Sequence, residues 1–323
     1  MGSNFIRYLL KRYSLYIVNL DKLTYAGNLD NLKDIADNPR YVFVKGDIAS
    51  QKSVEAIFKK YRPEIVINFA AESHVDRSIL GPRAFIQTDV VGVLNLLEAS
   101  RAHPIKRFIQ VSTDEVYGEI KQGFFKEESP FCPRSPYSAS KASGDHLVLA
   151  YFYTYGVPVT RIHSCNFYGQ YQYPEKFIPL FITNLLEGKN APLYGDGKQI
   201  REWIYTEDFC RALDLVLHKG KVGESYNIGT GYRVANKKLA GLIATLVGVP
   251  NTKIVQVKDR PGHDRRYAID ASKIDTLGFK PQVSFQKGLE LTVEWYKKNE
   301  WWWKKIKRRK DFREYYERQY GNL

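Results

Sequence analysis

Short apolar runs alternate with amphipathic stretches along the first half of the chain, the pattern of strands covered on both faces by helices. Strands are predicted over residues 15–20, 41–44, 65–69, 108–111 and 157–162. Helical stretches are predicted near residues 31–36, 54–60, 82–102 and 137–155. That alternation gives an α/β fold class, a doubly wound parallel sheet, with less regular later segments forming a smaller α/β C-terminal lobe. We expect a cofactor-binding domain over 1–163 with a returning segment near 205–232, and a substrate lobe plus basic tail over 164–323. Residues 188–198 and 258–266, rich in glycine, proline and charge, read as loops that could close on a ligand.

Composition narrows the class. The chain has 323 residues, 44% of them hydrophobic, enough for one large core and a second lobe. No apolar run is long enough to span a bilayer and no signal peptide is recognisable, so a cytoplasmic protein without a membrane partner is expected. Cys132, Cys165 and Cys210 are odd in number and widely spaced, which reads as free thiols rather than a zinc site, and no metal is expected. A formal charge of +14 suits an anionic partner such as a nucleotide. Much of it lies in 297–310, where lysines and arginines flank Trp301, Trp302 and Trp303. Nucleic-acid binders also use that composition, but no nucleic-acid module accompanies it, so a solvated helix anchored by tryptophan is the expected reading.

Candidate chemistry gathers where a predicted strand ends in Ser112-Thr113-Asp114-Glu115 and a predicted helix opens at Tyr137 with Lys141 one turn on. Tyrosine and lysine four apart share a helix face, so the ammonium is expected to lower the phenol's pKa and make Tyr137 a base for alcohols. Such a base suits oxidation of a hydroxyl by a nicotinamide cofactor, and an adjacent acid and base suit elimination of water. Either feature alone is common; a Tyr-x-x-x-Lys pair by itself is usually an exposed helix face.

A Rossmann-like dinucleotide fold begins with a strand and a glycine-rich turn that meets the pyrophosphate at a helix N-terminus. Here that helix opens the chain at Gly2, and the strand and most of the turn are expected to be missing. A sheet lacking that strand would expose apolar surface and lose pyrophosphate donors. Asp21 ends the next strand where an acid bonds the adenosine ribose, which favours NAD over NADP.

These residues carry a resemblance. LDKLTYAGNLDNL at 20–32, NFAAESHVDRSI at 68–79, STDEVYGE at 112–119, YSASKA at 137–142, YQYPEKFIP at 171–179, PLYGDGKQIREWIYTED at 192–208 and DRPGHDRRYAID at 259–270 are similar to the nucleotide-sugar 4,6-dehydratases. That family lies within the extended short-chain dehydrogenase/reductase superfamily. The resemblance implies a lyase that uses NAD as a tightly held catalyst, on a dTDP-glucose substrate by the length of the matches, although no single residue decides between dTDP and UDP sugars. It assigns catalysis to Thr113, Asp114, Glu115, Tyr137 and Lys141, with Asp114 as the acid and Glu115 as the base of elimination. It places the cofactor against Gly2, Asp21, Lys22, Leu23, Thr24, Asp47, Ile48, Ala70, Ala71, Thr88, Tyr137 and Lys141. It places the nucleotide sugar against Ser73, Thr113, Asn166, Glu175, Lys176, Arg201, Asn236, Arg260 and His263. A homodimer is implied, built on the helices over 82–102 and 137–155. The chain departs from the family pattern at His163 (usually arginine), Phe167 (asparagine), Gln170 (proline), Asp89 (asparagine) and Val93 (threonine). Changes at Asp89 and Val93 are expected to be tolerated; those at His163 and Gln170 are expected to alter loop geometry. The rival readings are a UDP-sugar dehydratase, an epimerase or decarboxylase of the same superfamily, which would not need both Asp114 and Glu115, and a silent relative that binds a nucleotide sugar, a partner protein or nucleic acid.

Overall fold

The computed structural model describes residues 1–321. Its first half runs α1 (Gly2–Arg12), β1 (Ile17–Asp21), β2 (Tyr41–Lys45), α2 (Gln51–Tyr61), β3 (Ile65–Asn68), α3 (Val75–Leu80), α4 (Arg83–Ile86), α5 (Val93–Ala102), β4 (Arg107–Thr113) and α6 (Pro136–Tyr155). The second half follows as β5 (Val159–Ser164), β6 (Asn166–Tyr168), α7 (Phe177–Leu186), β7 (Ala191–Tyr194), β8 (Ile200–Tyr205), α8 (Thr206–Lys219), β9 (Ser225–Ile228), β10 (Arg233–Ala235), α9 (Asn236–Val247), β11 (Ile254–Val257), α10 (Ser272–Asp275), α11 (Phe285–Lys298), α12 (Glu300–Lys307) and α13 (Lys310–Tyr320).

All five predicted strands form, and each pairs in parallel. One loop prediction fails: 191–194, inside the expected loop 188–198, is β7, which pairs in parallel with β11. The predicted helix over 31–36 is a 3₁₀ segment, Leu29–Ile35, capped by Asn28. The predicted helix over 82–102 is interrupted by one π-helical turn, Gln87–Gly92. That turn lies hard against α6, because a Cβ added at Gly144 would stand 2.6 Å from the Asp89 carbonyl oxygen.

The parallel sheet is divided. β1 pairs only with β2, whereas β3, β4, β5 and β9 form a separate four-stranded sheet in that order. Among the described residues no strand joins β1 to β3, the position where the first strand was expected. The facing edges are incompletely covered: Ile17, Val18 and Leu20 are half-buried, and Ile65 is 44% exposed. Helix α1 bridges the break. Phe5 and Leu9 pack with Ile67, Phe69, Ile109 and Val111, while Ile6 and Leu10 pack with Leu32 and Tyr41.

Strand β9 returns from the later sequence into the four-stranded sheet, and α8 packs against α1. Around β6, β8 and β10 a second core forms, filled by Tyr168, Phe181, Trp203, Tyr296, Trp302 and Trp303. The basic tail belongs to that core. Trp302 and Trp303 are buried, Trp303 Nε1 donates to the Tyr296 carbonyl at 2.9 Å, and Trp302 Nε1 donates to Asn31 Oδ1 at 2.8 Å. Lys305 and Lys307 pair with Asp30 and Glu187, so the tryptophan-anchored helix is what the tail forms. Truncating the fully buried Trp303 to alanine should cost about 3–5 kcal/mol of unfolding free energy, read from the shift of the denaturant midpoint.

Candidate active site

Strand β4 delivers the site. Its carboxyl end runs directly into a 3₁₀ turn, Asp114–Tyr117, capped by the Thr113 hydroxyl, which accepts from the Glu115 amide at 3.3 Å. The turn ends at Gly118, whose φ of +82° and closeness to the Cys132 carbonyl exclude a side chain. Helix α6 faces this turn. It begins in a capping box between Ser135 and Ser138, and its buried face carries Tyr137, Ser140, Lys141 and Asp145.

Asp114 and Glu115 are adjacent in sequence but sit in different fields. Burial, reinforced by Glu115 and Glu202, pushes the Asp114 carboxyl far above the ordinary range, so it holds its proton. Burial raises Glu115 as well, but Arg260 and Arg201 pull it back. A proton-holding acid beside an arginine-compensated carboxylate is the pairing that acid–base elimination needs. The two arginines are held from elsewhere. Arg260 pairs with Asp76 at 3.0 Å, and Arg201 donates to the Asp264 carbonyl at 2.8 Å while stacking on the Tyr267 ring. The Tyr267 hydroxyl lies 3.3 Å from Glu115 and 2.6 Å from Asp264.

One expectation is corrected. Tyr137 is not lowered by Lys141 in the chain by itself: burial, then Glu115 and Asp89, hold its phenol well above the ordinary value, opposed by the Thr113 hydroxyl. The Lys141 ammonium instead donates to the Val111 carbonyl at 3.0 Å. The shared helix face was read correctly, but burial outweighs the cation four residues away.

The expected cofactor residues fall at the carboxyl ends of the parallel strands. Asp21 ends β1, Asp47 and Ile48 follow β2, and Ala70 and Ala71 follow β3. Thr88 lies in the π turn, and Gly2 begins α1 beside Phe69. A crevice at strand carboxyl ends is where open α/β sheets take ligands. The donor set fits a dinucleotide. Asp21 is exposed; its Oδ1 accepts from the Leu23 amide at 2.7 Å, which leaves Oδ2 for a hydroxyl. The first-turn amides of α1 supply anion donors. Lys22 pairs with Asp47 at 2.6 Å, and Leu23, at φ 55°, turns the chain toward Thr24.

The expected sugar-nucleotide residues converge from β6, the 173–176 turn, β8, the start of α9 and the 258–266 loop. Lys176 donates to the Ser73 carbonyl, and burial lowers its pKa. His263 bonds Asp259 at 2.6 Å. Several buried polar atoms here have no partner in the protein: Asn166 Oδ1, Glu175 Oε1, Asn236 Oδ1, Arg260 Nε and Asp114 Oδ2. Such atoms are costly unless a ligand completes them. Glu175 is less available than expected, because its Oε2 is taken by Arg77 at 2.8 Å. Sequence reasoning missed Arg77, Asp76, Tyr194, Asp264 and Tyr267. All lie inside the motifs quoted above, but their partners are remote in the chain. Of the departures, Phe167 packs on Phe209 and the Gln170 carbonyl accepts from Asn4 at 3.1 Å.

Asp89 yields a prediction. It accepts from the Glu72 amide at 3.2 Å and from Ser140 Oγ at 2.8 Å, and burial raises its pKa to about 6 despite Lys141. The folded chain therefore binds this proton more tightly than the unfolded chain, and stability falls as pH rises from about 4 through about 6. An asparagine at this position could keep both contacts, since Ser140 also donates to the Tyr137 carbonyl and could accept from the new amide. Asp89→Asn should add on the order of 2 kcal/mol at pH 7.5 and nothing at pH 4, measured by denaturant unfolding at both pH values.

The likenesses to known proteins are specific. The family model described as GDP-mannose 4,6 dehydratase matches residues 1–292. A dTDP-glucose 4,6-dehydratase of Xanthomonas campestris is 49% identical over 322 residues, covering 94% of this chain and 92% of that protein. Among solved structures, the dTDP-glucose 4,6-dehydratase DesIV of Streptomyces venezuelae, with NAD and TYD bound, superposes with a TM-score of 0.92 at 46% identity, covering 94% of this chain and 96% of that one. A UDP-glucose 4-epimerase of Thermotoga maritima shares the fold at a TM-score of 0.85 but only 31% identity, covering 92% and 95%. On the family match over residues 1–292 and the near full-length likeness to dehydratases, the chain belongs to the GDP-mannose 4,6 dehydratase family.

Proposed function

We propose that this chain is a dTDP-glucose 4,6-dehydratase, which converts dTDP-glucose to dTDP-4-keto-6-deoxyglucose. The observation that carries the reading is the Asp114–Glu115 pair, a buried carboxyl pushed far up and a half-buried one drawn back down by the charges of Arg260 and Arg201. An epimerase eliminates nothing and has no use for that pair.

Bound NAD supplies the hydride acceptor for carbon 4, the hydride donor for carbon 6 and the positive charge that favours a Tyr137 phenolate. Asp21, Asp47, Ile48, Ala70, Ala71 and Thr88 would hold it, and the free amides at the start of α1 would supply donors for an anionic group. Tyr137, hydrogen-bonded through Thr113, takes the proton of the sugar 4-hydroxyl. The resulting ketone acidifies the hydrogen on carbon 5, which Glu115 removes while Asp114 protonates the departing 6-hydroxyl. Glu115 afterwards returns the proton to carbon 5. Arg201, Arg260, Lys176 and Asn166 neutralise and read the diphosphate and nucleoside.

The domain division follows: residues 1–163 with 205–232 carry the cofactor, and the remainder carries the nucleotide sugar. The return of β9 to the first sheet supports it. A homodimer through α4, α5 and α6 is supported by exposed Ile86, Tyr153 and Tyr155 on those helices. Three free cysteines support a reducing, cytoplasmic setting, and no helix among the described residues is long and apolar enough to cross a membrane.

Two measurements test this. Incubation with NAD and dTDP-glucose in deuterium oxide should give a 4-keto-6-deoxy product carrying deuterium at carbon 5, by mass spectrometry. Glu115→Gln should lower the rate about 10²–10⁴-fold; unlabelled product, or an unaffected variant, removes Glu115 from the mechanism. Sedimentation at micromolar concentration should give twice the 37.4 kDa chain mass, and a monomer would refute the helix-paired dimer.

A further inference from the structure

The reacting triplet Thr113-Asp114-Glu115 is flanked by Ser112 and Tyr117, and both flanking side chains end on one buried pair, Asp145 of α6 and His163 of β5. Ser112 Oγ donates to Asp145 Oδ2 at 2.6 Å, and the Tyr117 hydroxyl lies 2.8 Å from His163 Nδ1. His163 Nε2 stands 3.3 Å from the same Asp145 oxygen, and neither side chain has any exposed surface.

Donors and acceptors then fix the protons. Asn227 Nδ2 donates to the Phe125 and Asp270 carbonyls, each at 3.1 Å, so its Oδ1 faces Tyr117 and accepts that hydroxyl's only proton at 2.9 Å. The Tyr117 oxygen must therefore accept from His163 Nδ1–H. His163 Nε2 faces the Asp145 carboxylate at that distance without a hydrogen bond to it, so the two side chains are linked by close approach and through the segment that both of them hold. An arginine at this position could donate both to Tyr117 and to Asp145, the two groups that the imidazole ring stands between.

We propose that His163, acting with Asp145, is a positioning residue that pins the Ser112–Gly118 segment from both ends and thereby aims Asp114 and Glu115 at the sugar. Neither residue touches substrate. The proposal rests on the catalytic reading of Asp114 and Glu115, and it extends that reading to a pair that no sequence motif marked. Misplacement by about 1 Å costs on the order of 10²-fold in rate.

The test uses the full chain and the variants His163→Gln, His163→Arg and the milder Tyr117→Phe, which keeps the ring stacked on Phe125. Each is assayed for kcat and KM with dTDP-glucose, for melting temperature, and for hydrogen–deuterium exchange of peptides spanning residues 112–118. His163→Gln and Tyr117→Phe should lower kcat about tenfold to a hundredfold with KM little changed, and should speed exchange in that segment. His163→Arg should restore both to near wild-type values. Folded variants with wild-type kcat and unchanged exchange would overturn the proposal, as would an arginine variant as impaired as the glutamine one. Should the wild type make no product, the dehydratase reading fails alone: exchange at 112–118, faster in His163→Gln and restored in His163→Arg, still decides whether the pair positions the segment.

Discussion

Holding a buried and a half-buried carboxyl side by side at the end of one strand is the constraint from which the rest of this structure follows. Each ionised carboxylate taken out of water costs several kcal/mol unless a cation meets it. The sheet that carries Asp114 and Glu115 offers no such cation near them; Arg201 and Arg260 come from the second lobe. Those guanidinium groups need anchors in turn. Asp76 holds Arg260 and also accepts from Tyr194, whose hydroxyl lies 3.1 Å from that of Tyr320 in α13. A path of contacts from Arg260 thus runs outward through Asp76 and Tyr194 to the C-terminal helix. The C-terminal helix is therefore joined by polar contacts to the arginine whose charge acts on Glu115, and its packing matters to that field as well as to stability.

How much of this could be read in advance depended on range in sequence. Local patterns were legible: period and composition placed β1 to β5 and α6, and the Asp114–Glu115 and Tyr137–Lys141 groupings were visible because strand-to-turn and i, i+4 relations are short-range. Asp21 was found for the same reason, as the acid at a strand end. Range defeated the rest. Tyr267 approaches Glu115 from 152 residues away, and Arg260 reaches Asp76 across 184, so nothing in either neighbourhood announces the other. Strand β7 was hidden because Ala191–Tyr194 is four residues followed by a glycine-rich turn, which reads locally as loop. The pKa of Tyr137 was misjudged because a lysine one turn away is a local fact, whereas burial is a property of the whole packing.

The division of the sheet shows the same contrast. That the chain opens on a helix was legible, but the way this helix joins two separate parallel sheets was not. Phe5 and Leu9 serve the four-stranded sheet while Ile6 and Leu10 serve the other, so a single helix with two apolar faces carries the contacts between sheets that share no hydrogen bond. The crevice at the strand ends depends on that helix, because its first turn lies beside Phe69, immediately before the Ala70–Ala71 pair.

Two departures from the family pattern, Asp89 and His163, bear on one another through helix α6. Lys141 and Asp145 are one turn apart on its buried face, Asp89 feels both of them, and His163 meets Asp145 from β5. Asp89, Lys141, Asp145 and His163 thus form a row in which acid and base alternate. Asp89 and Asp145 are both buried acids, and Lys141 is the cation that acts on Asp89 between them. At Tyr137 burial comes first and Glu115 and Asp89 add to it, while the Lys141 ammonium is bonded to the Val111 carbonyl. Charge at this site is therefore set along the helix as a unit, and a substitution at either end of the row changes the field at the phenol in the middle of the chemistry.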